Sequence, residues 1–182
     1  AHRDEHKQQL AFDRENKRYL PGVKLPDAIC IFSDLESCLR DINDILIVVP
    51  STVFIDIIQR VYEIKGTDCR LVWGTKGVSS QDGRLLSDLV TDVFGDGFPA
   101  AVLSGPSFAR EVAQGAPTAV SIAGNDLAFM QDLQQRFQVS QVHCDIARRY
   151  SDASFKNSFR TCDEQKSREI YAEVLAKIQT YY

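Results

Sequence analysis

The 182-residue sequence has no run of eighteen or more apolar residues and no charged-then-apolar leader, so nothing in it marks membrane insertion or export. It also lacks any dense cluster of Lys and Arg. With 21 basic against 25 acidic residues the formal net charge is −4, which provides no basic field for nucleic acid. Cysteine is sparse and poorly spaced for metal. Cys30, Cys38, Cys69, Cys144 and Cys162 are odd in number and never fall in a C-x-x-C pattern, so they read as reduced cytosolic thiols and argue against a zinc or redox role. Internal repeats and low-complexity tracts are absent. What remains is a chain with 44% hydrophobic residues, long enough for one domain with a respectable core.

Strand-like and helix-like patterns alternate along it, the signature of βα units on a parallel sheet flanked by helices. Residues 4–15 are polar and predict a helix, after which Pro21 and Pro26 enforce an extended connection. A short strand is expected over residues 28–32. Ser33 or Asp34 then caps a helix with Leu35, Leu39 and Ile42 on one face. Residues 45–49 form the clearest strand, broken by Pro50-Ser51-Thr52, which starts a helix carrying Val53, Ile57, Val61 and Ile64. Residues 80–94 predict another amphipathic helix, with Leu85, Leu86, Leu89 and Val93 inward. A strand over 101–104 leads to a short helix beginning at Ser107. A strand over 118–123, a helix over 126–137 and an amphipathic helix over 162–182 complete the reading.

Two Gly-bearing loops stand out. Trp73-Gly74-Thr75-Lys76-Gly77 follows the apolar run 70–73, and Gly105-Pro106-Ser107-Phe108-Ala109 follows the run 101–104. Ligands of open α/β sheets bind at the carboxyl ends of such strands. One loop offers a lysine ammonium; the other offers backbone N–H groups and a serine hydroxyl. Together they predict a site for a small phosphorylated or oxyanionic ligand.

These loops, together with segments 16–22 (Asn-Lys-Arg-Tyr-Leu-Pro-Gly), 45–51 (Ile-Leu-Ile-Val-Val-Pro-Ser), 83–86 (Gly-Arg-Leu-Leu) and 117–120 (Pro-Thr-Ala-Val), carry a close resemblance. The chain resembles the nucleotide-binding domain of bacterial-type NAD(P)-dependent sn-glycerol-3-phosphate dehydrogenase, from residue 1 to about residue 137. The resemblance implies a Rossmann-like α/β fold and interconversion of sn-glycerol 3-phosphate with dihydroxyacetone phosphate by hydride transfer. By the same resemblance, Lys76, Gly105 and Ser107 contact the substrate, and His2, Lys76 and Ala109 contact the cofactor. His2-Arg3 at the second-strand end slightly favours NADP over NAD, and the Val49-Pro50-Ser51 loop lines the cofactor cleft.

The sequence departs from the family at both ends. The Gly-rich fingerprint between the first strand and first helix is absent, as is the all-helical substrate domain with its general base. The expectation is therefore a partial dinucleotide-binding domain over 1–138, incomplete at its N-terminal edge, and a divergent, partly helical tail over 139–182. No catalytic residue can be named. The partners expected are a small phosphorylated substrate, with neither nucleic acid nor membrane, in the cytoplasm; a homo-oligomer is left open. The alternative reading is an inactive fragment or binding module that keeps the sheet.

Three other features are weighed and set aside. His143 next to Cys144 has no acid placed to orient a nucleophilic pair. Phe155-Lys156-Asn157 resembles a catalytic Lys-Asn pair only superficially, and Arg14, Lys17 and Arg18 beside Tyr19 read as a solvated face. Trp73 reads as core.

Overall fold

The computed structural model describes residues 4–105, 108–138 and 142–146. Its centre is a five-stranded sheet in the order β1-β2-β3-β4-β5, made by Asp44–Ile47, Arg70–Trp73, Ala100–Ser104, Thr118–Gly124 and Val142–Ile146. The pairs β1–β2, β2–β3 and β4–β5 are parallel, whereas β3–β4 is antiparallel. The sheet is thus mostly parallel, as expected of a Rossmann-like fold, with one antiparallel pair. A parallel return needs a crossover packed on a sheet face. Among the described residues the only helix between β3 and β4 is α5, Ala109–Ala113, and its five residues are exposed, so the chain turns back at the sheet's end.

Successive side chains of a strand point to opposite faces, and helices on both faces make the middle of the sheet apolar. Leu71 and Trp73 face one side of β2 and Val72 the other, and all three are buried. The first face is covered by α2 (Leu35–Leu39), α3 (Phe54–Lys65) and α4 (Leu86–Phe94); the second is covered by α6 (Leu127–Phe137) through Phe129, Met130 and Leu133. Asp34 caps α2, its Oδ1 accepting the Ser37 N–H at 2.7 Å, and Asp126 caps α6 by accepting from Phe129 N–H at 2.8 Å.

Several expected elements are shifted. Residues 28–32 are not a strand. The carbonyls of Pro26 and Ile29 instead accept from the Arg14 guanidinium, so Arg14 is a bracket for this loop rather than part of a solvated face. The helix α1, Asp4–Asp13, agrees with expectation. The helix expected over 80–94 begins only at Leu86, because Gly83 has a φ of +71° and Leu85 is extended, bridged to Val78. In α3 the inward face is Phe54, Ile58 and Val61, while Val53 and Ile64 are largely exposed. The strand β5 lies beyond residue 138 and extends the sheet. The helix expected over 162–182 and the Phe155-Lys156-Asn157 segment lie outside the described residues.

At the amino ends of β1 and β2 an ion-pair network joins the sheet to α6. Arg70 donates to both oxygens of Asp44 at 2.5 and 2.7 Å and to Asp132 Oδ2 at 2.7 Å, and Arg136 contacts both carboxylates. The Arg70 guanidinium also lies 4.6 Å from the centre of the Phe129 ring. Hydrogen bonding from Arg70 holds the Asp44 carboxyl below its ordinary value, and Arg70 followed by Arg136 does the same to Asp132. A carboxyl with a depressed folded pKa contributes stability that is complete above its unfolded value, near 4, and is lost as pH falls through the folded value. Urea midpoints should therefore be flat from about pH 7 to 5 and fall below about pH 4. Asp132→Asn should flatten that acid limb; an unchanged limb would mean the network does not couple folding to protons.

Candidate functional site

Because β1, β2 and β3 are parallel, their carboxyl ends emerge along one edge of the sheet. Residues 48–51, 74–77 and 104–105 meet there, and two polar contacts stitch their backbones. Gly74 N–H donates to the Ile47 carbonyl at 2.9 Å, and Val49 N–H donates to Thr75 Oγ1 at 3.3 Å. Thr75 is buried, so its hydroxyl serves as a rivet between the first two loops. Gly77 then takes a φ of +93°, a region L side chains rarely adopt, with Ser51 Oγ 4.0 Å from the place a Cβ would occupy.

Lys76 sits between that rivet and that turn, and its Nζ donates to Ser104 Oγ at 3.3 Å. The ammonium thus reaches from the β2 exit across to the β3 exit, beside Gly105. Gly105 is a glycine for a reason the sequence did not disclose. A Cβ there would stand 2.4 Å from the Ala119 carbonyl oxygen and 3.0 Å from Val120 Cα, so β3 and β4 approach too closely for any side chain. Ala109 is exposed as the first residue of α5, whose N-cap position is held by Phe108, which makes no side-chain capping bond. His2 and Ser107 themselves lie outside the described residues.

Sequence reading missed Thr75 and Ser104 as parts of this edge. Their signal was present but thin: a hydroxyl residue at or just after the carboxyl end of an apolar strand. The expectation that no acid lies beside the His143-Cys144 pair is corrected by Asp145, which contacts His143, but the Cys144 thiol itself is poorly suited to attack. It is fully buried, burial followed by the Asp145 charge pushes its thiol up to about 11, and a neutral buried thiol is a poor nucleophile. His143 turns instead to Asp145, Nε2 to Oδ1 at 3.3 Å. Among the described residues no group of His, Cys, Asp and Glu could hold a metal ion, and no helix is long and apolar enough to cross a membrane.

Residues 1–130 match the family described as NAD-dependent glycerol-3-phosphate dehydrogenase N-terminus. The chain belongs to this family. A glycerol-3-phosphate dehydrogenase [NAD(P)+] of Vibrio cholerae is 41% identical over 156 residues, covering 85% of this chain and 44% of the relative. That of Shewanella amazonensis is 46% identical over 133 residues, covering 73% and 39%. Among solved structures, the glycerol-3-phosphate dehydrogenase of Coxiella burnetii superposes with a TM-score of 0.75 at 37% identity, covering 80% of this chain and 44% of that one. The Plasmodium falciparum glycerol-3-phosphate dehydrogenase gives 0.70 at 26% identity, covering 78% and 40%. The Rossmann-like α/β class is therefore shown, and the chain spans less than half the length of these relatives.

Proposed function

We propose that this glycerol-3-phosphate dehydrogenase chain serves the NAD(P)-dependent interconversion of sn-glycerol 3-phosphate and dihydroxyacetone phosphate. The observation that carries the reading is the placement of Lys76, a cation held at the shared carboxyl edge of three parallel strands with Nζ 3.3 Å from Ser104 Oγ. A fixed positive charge at this edge steadies the oxygens of a phosphorylated ligand. Lys76, Gly105 and Ser107 are assigned to the substrate, and His2, Lys76 and Ala109 to the cofactor. What supports a dinucleotide at this edge is its place at the carboxyl ends of parallel strands, with the first two loops tied by Thr75.

The dinucleotide, when bound, supplies or accepts the hydride. The chain's own residues bind and orient, holding the substrate's oxygens so that the reacting carbon faces the nicotinamide. His2-Arg3 tilts the preference toward NADP. We take residues 1–138 as the dinucleotide-binding unit and 139–182 as a distinct segment that contributes β5 to the sheet. The setting we assign is cytoplasmic, with a small phosphorylated substrate and no nucleic acid or membrane partner; self-association is compatible with it.

The test is calorimetric titration of the purified chain with NADH, NADPH and dihydroxyacetone phosphate, with nicotinamide absorbance followed for turnover. Lys76→Ala should weaken dihydroxyacetone phosphate about 10- to 100-fold, the range for loss of a charge-assisted hydrogen bond. Unchanged affinity would sink the reading. Binding without turnover would identify this polypeptide as a binding module of the family.

A further inference from the structure

We infer that Ser104 is a positioning residue for Lys76, holding its ammonium in the orientation that meets the phosphorylated ligand; this rests on the role assigned to Lys76 above. A lysine head rides on a flexible four-carbon stem, and its freedom must be surrendered when it engages a ligand. A partner that already receives one of its N–H donors in the ligand-free protein removes part of that cost. Ser104 Oγ is such an acceptor, 3.3 Å from Nζ and 28 residues away in sequence.

The acceptor is itself held on both sides. Ser104 is the last residue of β3, in register with Ser121 of β4, and the next residue is the glycine packed against the Ala119 carbonyl. On the lysine's side, the buried Thr75 hydroxyl ties the loop to Val49, and Gly77 closes it with a positive φ. Two separately anchored strand exits therefore meet at one Nζ–Oγ contact. Serine at this position joins the β3 exit to the β2 exit through a group facing the ligand edge, so the two loops move as one.

The experiment is NMR of the lysine side-chain methylene signals in the purified, ¹³C-lysine-labelled chain, with the Lys76 signal assigned through Lys76→Arg, alongside calorimetry with dihydroxyacetone phosphate. Ser104→Ala should move the Lys76 signal in the ligand-free chain and weaken the ligand about fivefold, in line with loss of one exposed charge-assisted contact. Ser104→Thr, which keeps the hydroxyl, should restore both. Ser121→Ala, which removes a hydroxyl from the register partner of Ser104, should leave the Lys76 signal in place. An unmoved Lys76 signal in Ser104→Ala, or no rescue by threonine, overturns the inference. Failure of the underlying reading looks different: Lys76→Ala leaves the ligand's affinity unchanged while Ser104→Ala still moves the lysine signal.

Discussion

Replacing Phe54 by Ala should cost about 3–5 kcal/mol of folding stability, the range for emptying a large aromatic site in a core. Phe54 is fully buried at the start of α3, and its ring meets Trp73 edge-on with centroids 6.0 Å apart. Ile45, Ile47, Ile58 and Leu71 belong to the same cluster, so the void would open between the helix and two strands at once. A loss of that size is a large part of the roughly 5–15 kcal/mol that holds a domain together. Urea denaturation should show a lower midpoint with an unchanged slope, and Tm should drop by about 10 °C or more. Phe12→Ala is the matched control: at 91% exposed, Phe12 should be worth no more than about 0.5 kcal/mol. Similar small shifts for both variants would show that Phe54 is not a core residue. The effect should reach the site as well, since Trp73 directly precedes the loop that carries Lys76.

How legible this core was depends on the element. The apolar runs at β1, β2 and β3 read as strands, and Leu71-Val72-Trp73, apolar at every position, announced a strand covered on both faces. The phase of α3 could not be read in the same way. Positions 53, 54, 55, 57, 58, 61 and 64 are all apolar, so more than one face satisfies a helical repeat. The choice falls to the 3-10 turn Ser51–Val53, which hands the chain to α3 at Phe54 and turns Ile58 and Val61 inward with it. The strand β5 is legible in the sequence, since Val142, Cys144 and Ile146 alternate with His143 and Asp145 as a half-buried strand should. Its backbone is met by side chains of the neighbouring helix end: Gln134 donates to the Cys144 carbonyl at 2.7 Å and Gln138 accepts its N–H at 2.9 Å. No local pattern announces contacts of that kind.

The site divides along the same line. Lys76 was legible as a candidate because it stands beside glycine at a strand's end and the segments resembling one family propose a role for it; the structure places it at the shared strand exits. Ser104 and Thr75 were not legible, because their parts depend on which loop lies opposite. That Val49 N–H would point at Thr75 Oγ1, or Lys76 at Ser104, follows from the strand order β1-β2-β3, a tertiary fact.

Gly105→Ala is expected to act through the sheet, and to take ligand affinity with it. The new Cβ would stand 2.4 Å from the Ala119 carbonyl oxygen, a backbone atom that cannot rotate aside. Relief requires β3 and β4 to part at their shared end, at about 3 kcal/mol, the upper part of the range for overpacking. Parting them displaces Ser104, the last paired residue of β3, and with it the partner of Lys76. Dihydroxyacetone phosphate should therefore bind more weakly even if its own atoms never touch Gly105. Gly124 separates the two explanations. It occupies the opposite corner of the same strand pair, where a Cβ would stand 2.6 Å from the Ala100 carbonyl oxygen, on the edge of the sheet away from Lys76. Urea midpoints should fall comparably for Gly105→Ala and Gly124→Ala, while calorimetric affinity should fall for Gly105→Ala alone. Equal affinity losses would make the glycine pair a device of strand packing only. A loss confined to Gly105 means that the ligand lies at this end of the strand pair, where Gly105 meets it directly or the closeness of β3 to β4 sets the position of Lys76.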